Sequence, residues 1–273
     1  MFWGINSFCL SFRQAMYIKR KNFNNMKRSL NELIGYSIKA KNGEKGKVKN
    51  FLFDDHSWSI RYLEAELGNF FAEKRVLIPR MFLGEPDWKN QHFPIELTVE
   101  SIKESPDLSF DMPVSRKYEK SLVDHYDMHP YWMVNTAAYG GQESIFYPGN
   151  LFKAPKKVIK EEDIDTSLRS FNEVLGYRID AIDDTFGQIV DLIIDDEDWQ
   201  ILHLVIDTKT LVPWSRKVIL PIELLDEINF MDHKVTIELP KESIKNSPEF
   251  DEAEPVNAEY EEVLYDYYGR KKS

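Results

Sequence analysis

The residues best placed to do chemistry by type and spacing are His125, Asp127 and His129. Two histidines four apart share one face of a helix and can fill two positions on a zinc ion. A working site needs a third ligand and an orienting outer shell, and Pro130, directly after His129, marks the end of any helix there. A metal-dependent enzyme with a site in this stretch is therefore an alternative reading, and an aromatic packing segment is the main one. Two acidic pairs, Asp54-Asp55 and Asp195-Asp196, are the right type for acid–base work or a hard cation. A catalytic pair needs a cleft and displaced pKa values, and a calcium loop needs regularly spaced oxygens with a distal glutamate, which is absent. Both pairs fall between strand-like runs, so they are expected to be turn residues whose short side chains bond their own backbone. No glycine-rich phosphate loop or serine nucleophile elbow occurs. The expectation is a non-enzymatic chain with no catalytic residue, no metal and no cofactor.

Aromatic residues in loops are the other candidates. Phe70 and Phe71, Tyr131 and Trp132, and Trp214 lie in turn-like or linker stretches, and exposed aromatics are favoured interface anchors. They form the candidate interaction surface. Trp58 and Trp199 start strand-like runs and read as core packing.

The elements that must position these residues occur twice. Residues 31–63 (NELIGYSIKAKNGEKGKVKNFLFDDHSWSIRYL) return as 172–204 (NEVLGYRIDAIDDTFGQIVDLIIDDEDWQILHL), with Gly35/Gly176, Tyr36/Tyr177, Gly46/Gly187, Asp54/Asp195 and Trp58/Trp199 in step. Further on, Val76–Pro79 returns as Val218–Pro221, and Tyr118, Glu119 and Tyr126 as Tyr260, Glu261 and Tyr268. The offset grows from 141 to 142, so one residue is inserted in a loop between the blocks. A period this long means two domains rather than a solenoid. His125 has Tyr267 as its counterpart, so the histidine pair is not part of the repeated plan.

Within each copy, short apolar runs alternate with turn signals, which predicts strands over 36–41, 46–53, 58–67, 74–79 and 93–99 and over their counterparts. Helical spacing follows at 115–126 and 257–268. The fold class expected is mainly β: two small antiparallel β-barrels in tandem, each followed by a short helix. The domains are then a basic N-terminal tail (1–28), a first barrel (29–108), an aromatic-rich linker with a helix (109–169), a second barrel (170–248) and an acidic helical tail (249–273).

Charge restricts the partners. The net charge is −11, yet residues 1–28 carry six basic residues and no acidic one. Without those six, 29 basic residues face 46 acidic ones. A body of that sign repels phosphate backbones, so direct nucleic-acid binding is not expected. The single cysteine, Cys9, excludes an internal disulfide and fits a reducing compartment. The basic N-terminal segment has two readings: a tail that touches anionic lipid, or an upstream extension of a chain that starts at Met26.

The order Asn-Glu-apolar-apolar-Gly-Tyr (Asn31–Tyr36), a Gly-led strand and Asp turn (Gly46–Asp55), an aromatic strand (Trp58–Leu63) and apolar-Leu-Ile-Pro (Val76–Pro79) resembles the PRC-barrel family. The same elements return at Asn172–Tyr177, Gly187–Asp196, Trp199–Leu204 and Val218–Pro221. The family includes the cytoplasmic barrel of the photosynthetic reaction-centre H subunit and the C-terminal domain of a ribosome-maturation factor. The resemblance implies small barrels that dock on proteins. It does not extend to the H subunit's membrane helix or to the maturation factor's RNA-binding partner domain, so neither role is implied. The function expected is a cytoplasmic adaptor that binds a protein partner or itself. A peripheral membrane protein using the basic tail is the second reading.

Overall fold

The computed structural model describes residues 27–68, 74–108, 114–132, 167–208, 216–252 and 256–269. Phe70, Phe71 and Trp214 lie outside the described residues, as do the tail before Lys27 and residues 133–166 of the linker.

The described chain forms two compact units. One consists of Gly35–His56 and Arg61–Arg169 and is built mainly from the first repeat; we call it the N-repeat unit. The other holds residues up to Ile34, Ser57–Ile60 and everything from Ser170, and we call it the C-repeat unit.

In order along the chain, the strands are β1 (Lys27–Ser29), β2 (Ser37–Ala40), β3 (Gly43–Asp54), β4 (Ser59–Glu66), β5 (Arg75–Pro79), β6 (His92–Pro94), β7 (Leu168–Ser170), β8 (Arg178–Ala181), β9 (Thr185–Phe186), β10 (Gln188–Asp195), β11 (Ile201–Asp207), β12 (Lys217–Pro221), β13 (Leu225–Asn229) and β14 (Lys234–Ile237). The helices are α1 (Val99–Glu104), α2 (Arg116–Tyr126), α3 (Phe171–Val174), α4 (Lys241–Lys245) and α5 (Ala258–Tyr267). The expected strands and terminal helices are present, except that the strand expected over 93–99 is cut back to His92–Pro94: Thr98 caps a helix that Val99 already opens. The expectation of all-antiparallel closed barrels is corrected, because the strands form three sheets and two of the ladders are parallel. β2 pairs β6, and β14 pairs β8, both in parallel register. Parallel neighbours need a long crossover. Here β3, β4 and β5 supply one and β9 to β13 the other. No closed barrel is formed among the described residues.

In the N-repeat unit the ladder runs β5-β4-β3-β2-β6, with β7 added on β3. In β3, Gly46 has φ +85°, and a Cβ there would lie 2.4 Å from the Glu66 carbonyl oxygen, so only glycine fits. Its counterpart Gly187 meets the Asp207 carbonyl oxygen at 2.6 Å. Against the sheet α2 buries Leu122 and Tyr126, which join Leu52, Tyr62, Leu77, Leu108 and Leu168 in one core. The helix starts at Ser115, whose side chain accepts from the Tyr118 amide and satisfies one open donor.

The C-repeat unit has two sheets, β1-β10-β11-β12 and β13-β14-β8-β9. Its α5 buries Leu264 against Ile193, Val205 and Ile219. Asn257 caps α5 at the Tyr260 amide, 2.8 Å away.

One tertiary bond returns at the equivalent place in both repeats. The Tyr118 hydroxyl donates to the Pro106 carbonyl at 2.9 Å, and the Tyr260 hydroxyl to the Pro248 carbonyl at 3.0 Å. The strand that precedes each repeat was not anticipated. β1 precedes the first repeat and pairs antiparallel with β10 of the second, Lys27 opposite Asp195 and Ser29 opposite Ile193. β7 precedes the second repeat and pairs with β3 of the first. Trp58 is also corrected: it ends the turn with φ +56°, as does Trp199 with φ +58°, and is not a strand residue. A left-handed backbone is unfavourable for a bulky aromatic and persists only where neighbouring bonds hold it. Here the Trp58 carbonyl accepts from the Ile201 amide at 2.8 Å, and the Trp199 carbonyl from the Ile60 amide at 2.9 Å.

Candidate functional site

Each terminal helix places a glutamate in its first turn on the face that meets the sheet. In the N-repeat unit this is Glu119, wholly buried. Its Oε2 takes Arg116 Nη1 at 2.6 Å, and its Oε1 accepts from the hydroxyls of Tyr62 at 3.0 Å and Tyr131 at 2.9 Å. Arg116 stands three residues earlier on the same helix, where i and i+3 side chains meet. Its guanidinium lies 4.3 Å from the centre of the Trp132 ring, and that of Arg61 lies 4.4 Å from the Tyr131 ring. Burial pushes the Glu119 carboxyl up, and the Arg116 charge works against that shift. Burial, with Glu119 beside it, likewise pushes the Tyr62 hydroxyl far above its ordinary value.

In the C-repeat unit the counterpart is Glu261, also buried. It forms an ion pair with Lys27 of β1, and His203 Nε2 lies 3.4 Å from its Oε1. His203 takes the place of Tyr62 in the repeat. Nearby, the buried Asp191 accepts from Ser29 Oγ at 2.5 Å, the Asn31 amide at 3.1 Å and the Leu192 amide at 2.7 Å. Burial pushes its carboxyl up to about 6 despite these bonds.

The carboxylates of both clusters are buried, and their bonds clamp a helix or a strand to a sheet. Sequence reading paired Glu119 with Glu261 but gave neither a role. The available signal was an acid at an otherwise apolar, core-facing helical position in both copies.

Of the candidate aromatics, Tyr131 and Trp132 are half-buried and engaged with Glu119, Arg61 and Arg116. His125 is structural as well: its Nε2 bonds the Ser101 carbonyl at 2.9 Å. Tyr267, its counterpart, donates to the Ser243 carbonyl at 2.7 Å. The two residue types thus do one job. Asp127 caps α2 with φ +48°. Among the described residues no group of three or more His, Cys, Asp or Glu side chains is arranged to hold a metal ion. Asp54 and Asp195 are the last residues of β3 and β10 rather than turn residues, and each accepts from an amide of the turn that follows, His56 at 3.2 Å and Glu197 at 2.9 Å; Asp55 and Asp196 lie in those turns.

Among the described residues the exposed large hydrophobics are Met81, Ile182 and Met231, each apart from the others in sequence, and a pair on the outer face of α5. Val263 and Tyr267 stand one turn apart, 56% and 41% exposed, among the exposed Glu259, Glu262 and Asp266. On α2 the counterparts of Glu259, Glu262 and Val263 are Lys117, Lys120 and Ser121.

The PRC-barrel domain family model matches residues 26–84, the segment that carries β1 to β5. No curated protein matches this chain. No helix of the described residues is long and apolar enough to cross a membrane.

Proposed function

We propose that this chain is a non-enzymatic adaptor, with PRC-type modules in both repeats, that binds a protein partner through the outer face of α5. The observation that carries the reading is the exposed Val263–Tyr267 pair inside an acidic border. An apolar centre with a charged rim is the anatomy of a protein contact, and the acidic rim selects a partner with basic residues around an apolar side chain. The charge of the chain outside residues 1–28 supports a protein partner over nucleic acid, and the reading assigns the protein to the cytoplasm. Affinity capture from cell extract, comparing the full chain with a Val263→Glu/Tyr267→Glu variant, tests this. A partner held by the parent chain and lost by the variant is expected. Identical captures would remove α5 as the contact, and an empty capture with the parent chain would remove the adaptor reading.

A further inference from the structure

β1 lies in a slot that reads its sequence. Lys27 reaches the buried Glu261, Ser29 donates to the buried Asp191, and the Leu30 amide donates to the Leu192 carbonyl at 2.9 Å while its side chain is wholly buried. The slot therefore selects an extended strand with a cation at its first position, a small hydroxyl at its third and an aliphatic residue at its fourth. Main-chain pairing supplies affinity in such strand addition, and the alternate side chains supply specificity.

The slot's walls, β10, β11 and α5, all come from the second repeat, whereas the strand comes from in front of the first. The strand is tied to its own repeat through Ile34 and Gly35, where the chain leaves the C-repeat unit. At this junction Gly35 takes φ +88°, a left-handed conformation that glycine adopts freely, and its amide donates to the Val48 carbonyl at 2.8 Å, so the strand is joined to its own repeat through one turn residue. We infer that the slot also takes Lys27–Leu30 of a second copy of this chain, giving a pair of chains that exchange β1 reciprocally. Charge complementarity argues for this occupant. The other leading strand, Leu168-Arg169-Ser170, has leucine where Lys27 stands and would leave the Glu261 carboxylate without its cation. A second copy's β1 makes every bond of the resident one, so exchanged and unexchanged forms differ only in chain entropy and concentration. This inference does not depend on the outer face of α5.

A charge swap tests it on the full chain. In Lys27→Glu the slot and its strand are both acidic, and in Glu261→Lys both are basic, so neither variant can dock β1 within one chain without repulsion. Mixed in equal amounts, each variant's strand finds the opposite charge in the other's slot. Light scattering is expected to give about one 32.2 kDa chain for each variant alone and twice that mass for the mixture. The double variant Lys27→Glu/Glu261→Lys restores the pair within one chain and is expected to behave as the parent does. A mixture that stays at single-chain mass while both variants are folded by circular dichroism would overturn the inference. So would a Lys27→Glu variant that dimerises alone as strongly as the mixture, since its strand fits no slot present and another surface would then be responsible. If a single variant does not fold alone, co-refolding the two from urea should recover the paired species. Failure of co-refolding, where the double variant refolds, also overturns it.

Discussion

The two terminal helices, α2 and α5, agree on one face and disagree on the other. Facing the sheet, Tyr118/Tyr260, Glu119/Glu261 and Leu122/Leu264 are identical and sit in equivalent places. Facing solvent, Lys117, Lys120 and Ser121 become Glu259, Glu262 and Val263, which reverses the charge and adds an apolar residue. Packing restrains the inner face, because a changed volume or an unpaired buried charge costs several kcal/mol, while exposed substitutions are usually within about 0.5 kcal/mol. What distinguishes the copies in binding must therefore lie outside. Around the shared glutamate even the inner shells differ: Arg116, Tyr62 and Tyr131 satisfy Glu119, whereas Lys27 and His203 satisfy Glu261. The acid is common, and each copy solves its pairing with what its surroundings supply.

The largest effect should come from breaking that pairing. Glu119→Ala leaves Arg116 buried beside two tyrosine hydroxyls without their acceptor and is expected to cost about 3–5 kcal/mol in urea unfolding. Glu119→Gln keeps acceptor oxygen and should cost less. Equal losses would mean that the charge, not the hydrogen bonds, holds the cluster. Next, Leu122→Ala and Leu264→Ala should each cost about 2–5 kcal/mol and match one another, since both leucines are wholly buried in equivalent cores. A clear inequality in unfolding midpoint would show that the two cores differ in how well they collapse around a cavity.

A smaller effect separates the copies by pH. Asp191 has Asn50 as its counterpart, and both side-chain oxygens accept the amide of the next residue, at 2.7 Å and 2.9 Å. With its folded-state pKa raised from 3.8 to about 6 by burial, Asp191 holds its proton more tightly in the folded chain. That contribution is fully present below the unfolded value and is lost as pH rises through about 6. Asp191→Asn should therefore remove about 1–3 kcal/mol of stability loss between about pH 4 and pH 7. Parallel pH profiles for the parent and variant would contradict the assignment. The smallest effect concerns the caps: Ser115→Ala and Asn257→Ala should each lower stability by about 1 kcal/mol, read as similar shifts in unfolding midpoint.

Much of the fold was legible in the sequence because period and turn chemistry are local. Gly46 and Gly187, the Asp turns and the alternating runs announced β3, β10 and their neighbours, and helical spacing announced α2 and α5. The antiparallel expectation failed at β2–β6 and β8–β14, since a strand's pattern of inward and outward residues is the same whichever way its neighbour runs. Trp58 looked like the first residue of a strand, but its left-handed backbone depends on a bond to Ile201, far away in sequence. Of the candidate site, the repeat of Glu119 and Glu261 was visible, while Tyr131 and Trp132 looked like free interface aromatics until the structure put them against Arg61, Arg116 and Glu119.

By itself, then, the sequence determined the doubled plan, the β-rich character, the helices that close each copy, and the charge that argues against nucleic acid. These follow from periodicity and composition, which need no knowledge of what lies opposite. Only the tertiary structure decided that β1 pairs with β10 and β7 with β3. Three-residue strands carry too little pattern to name a partner, and their docking depends on buried acids, Asp191 and Glu261 among them, brought to the slot by distant parts of the chain.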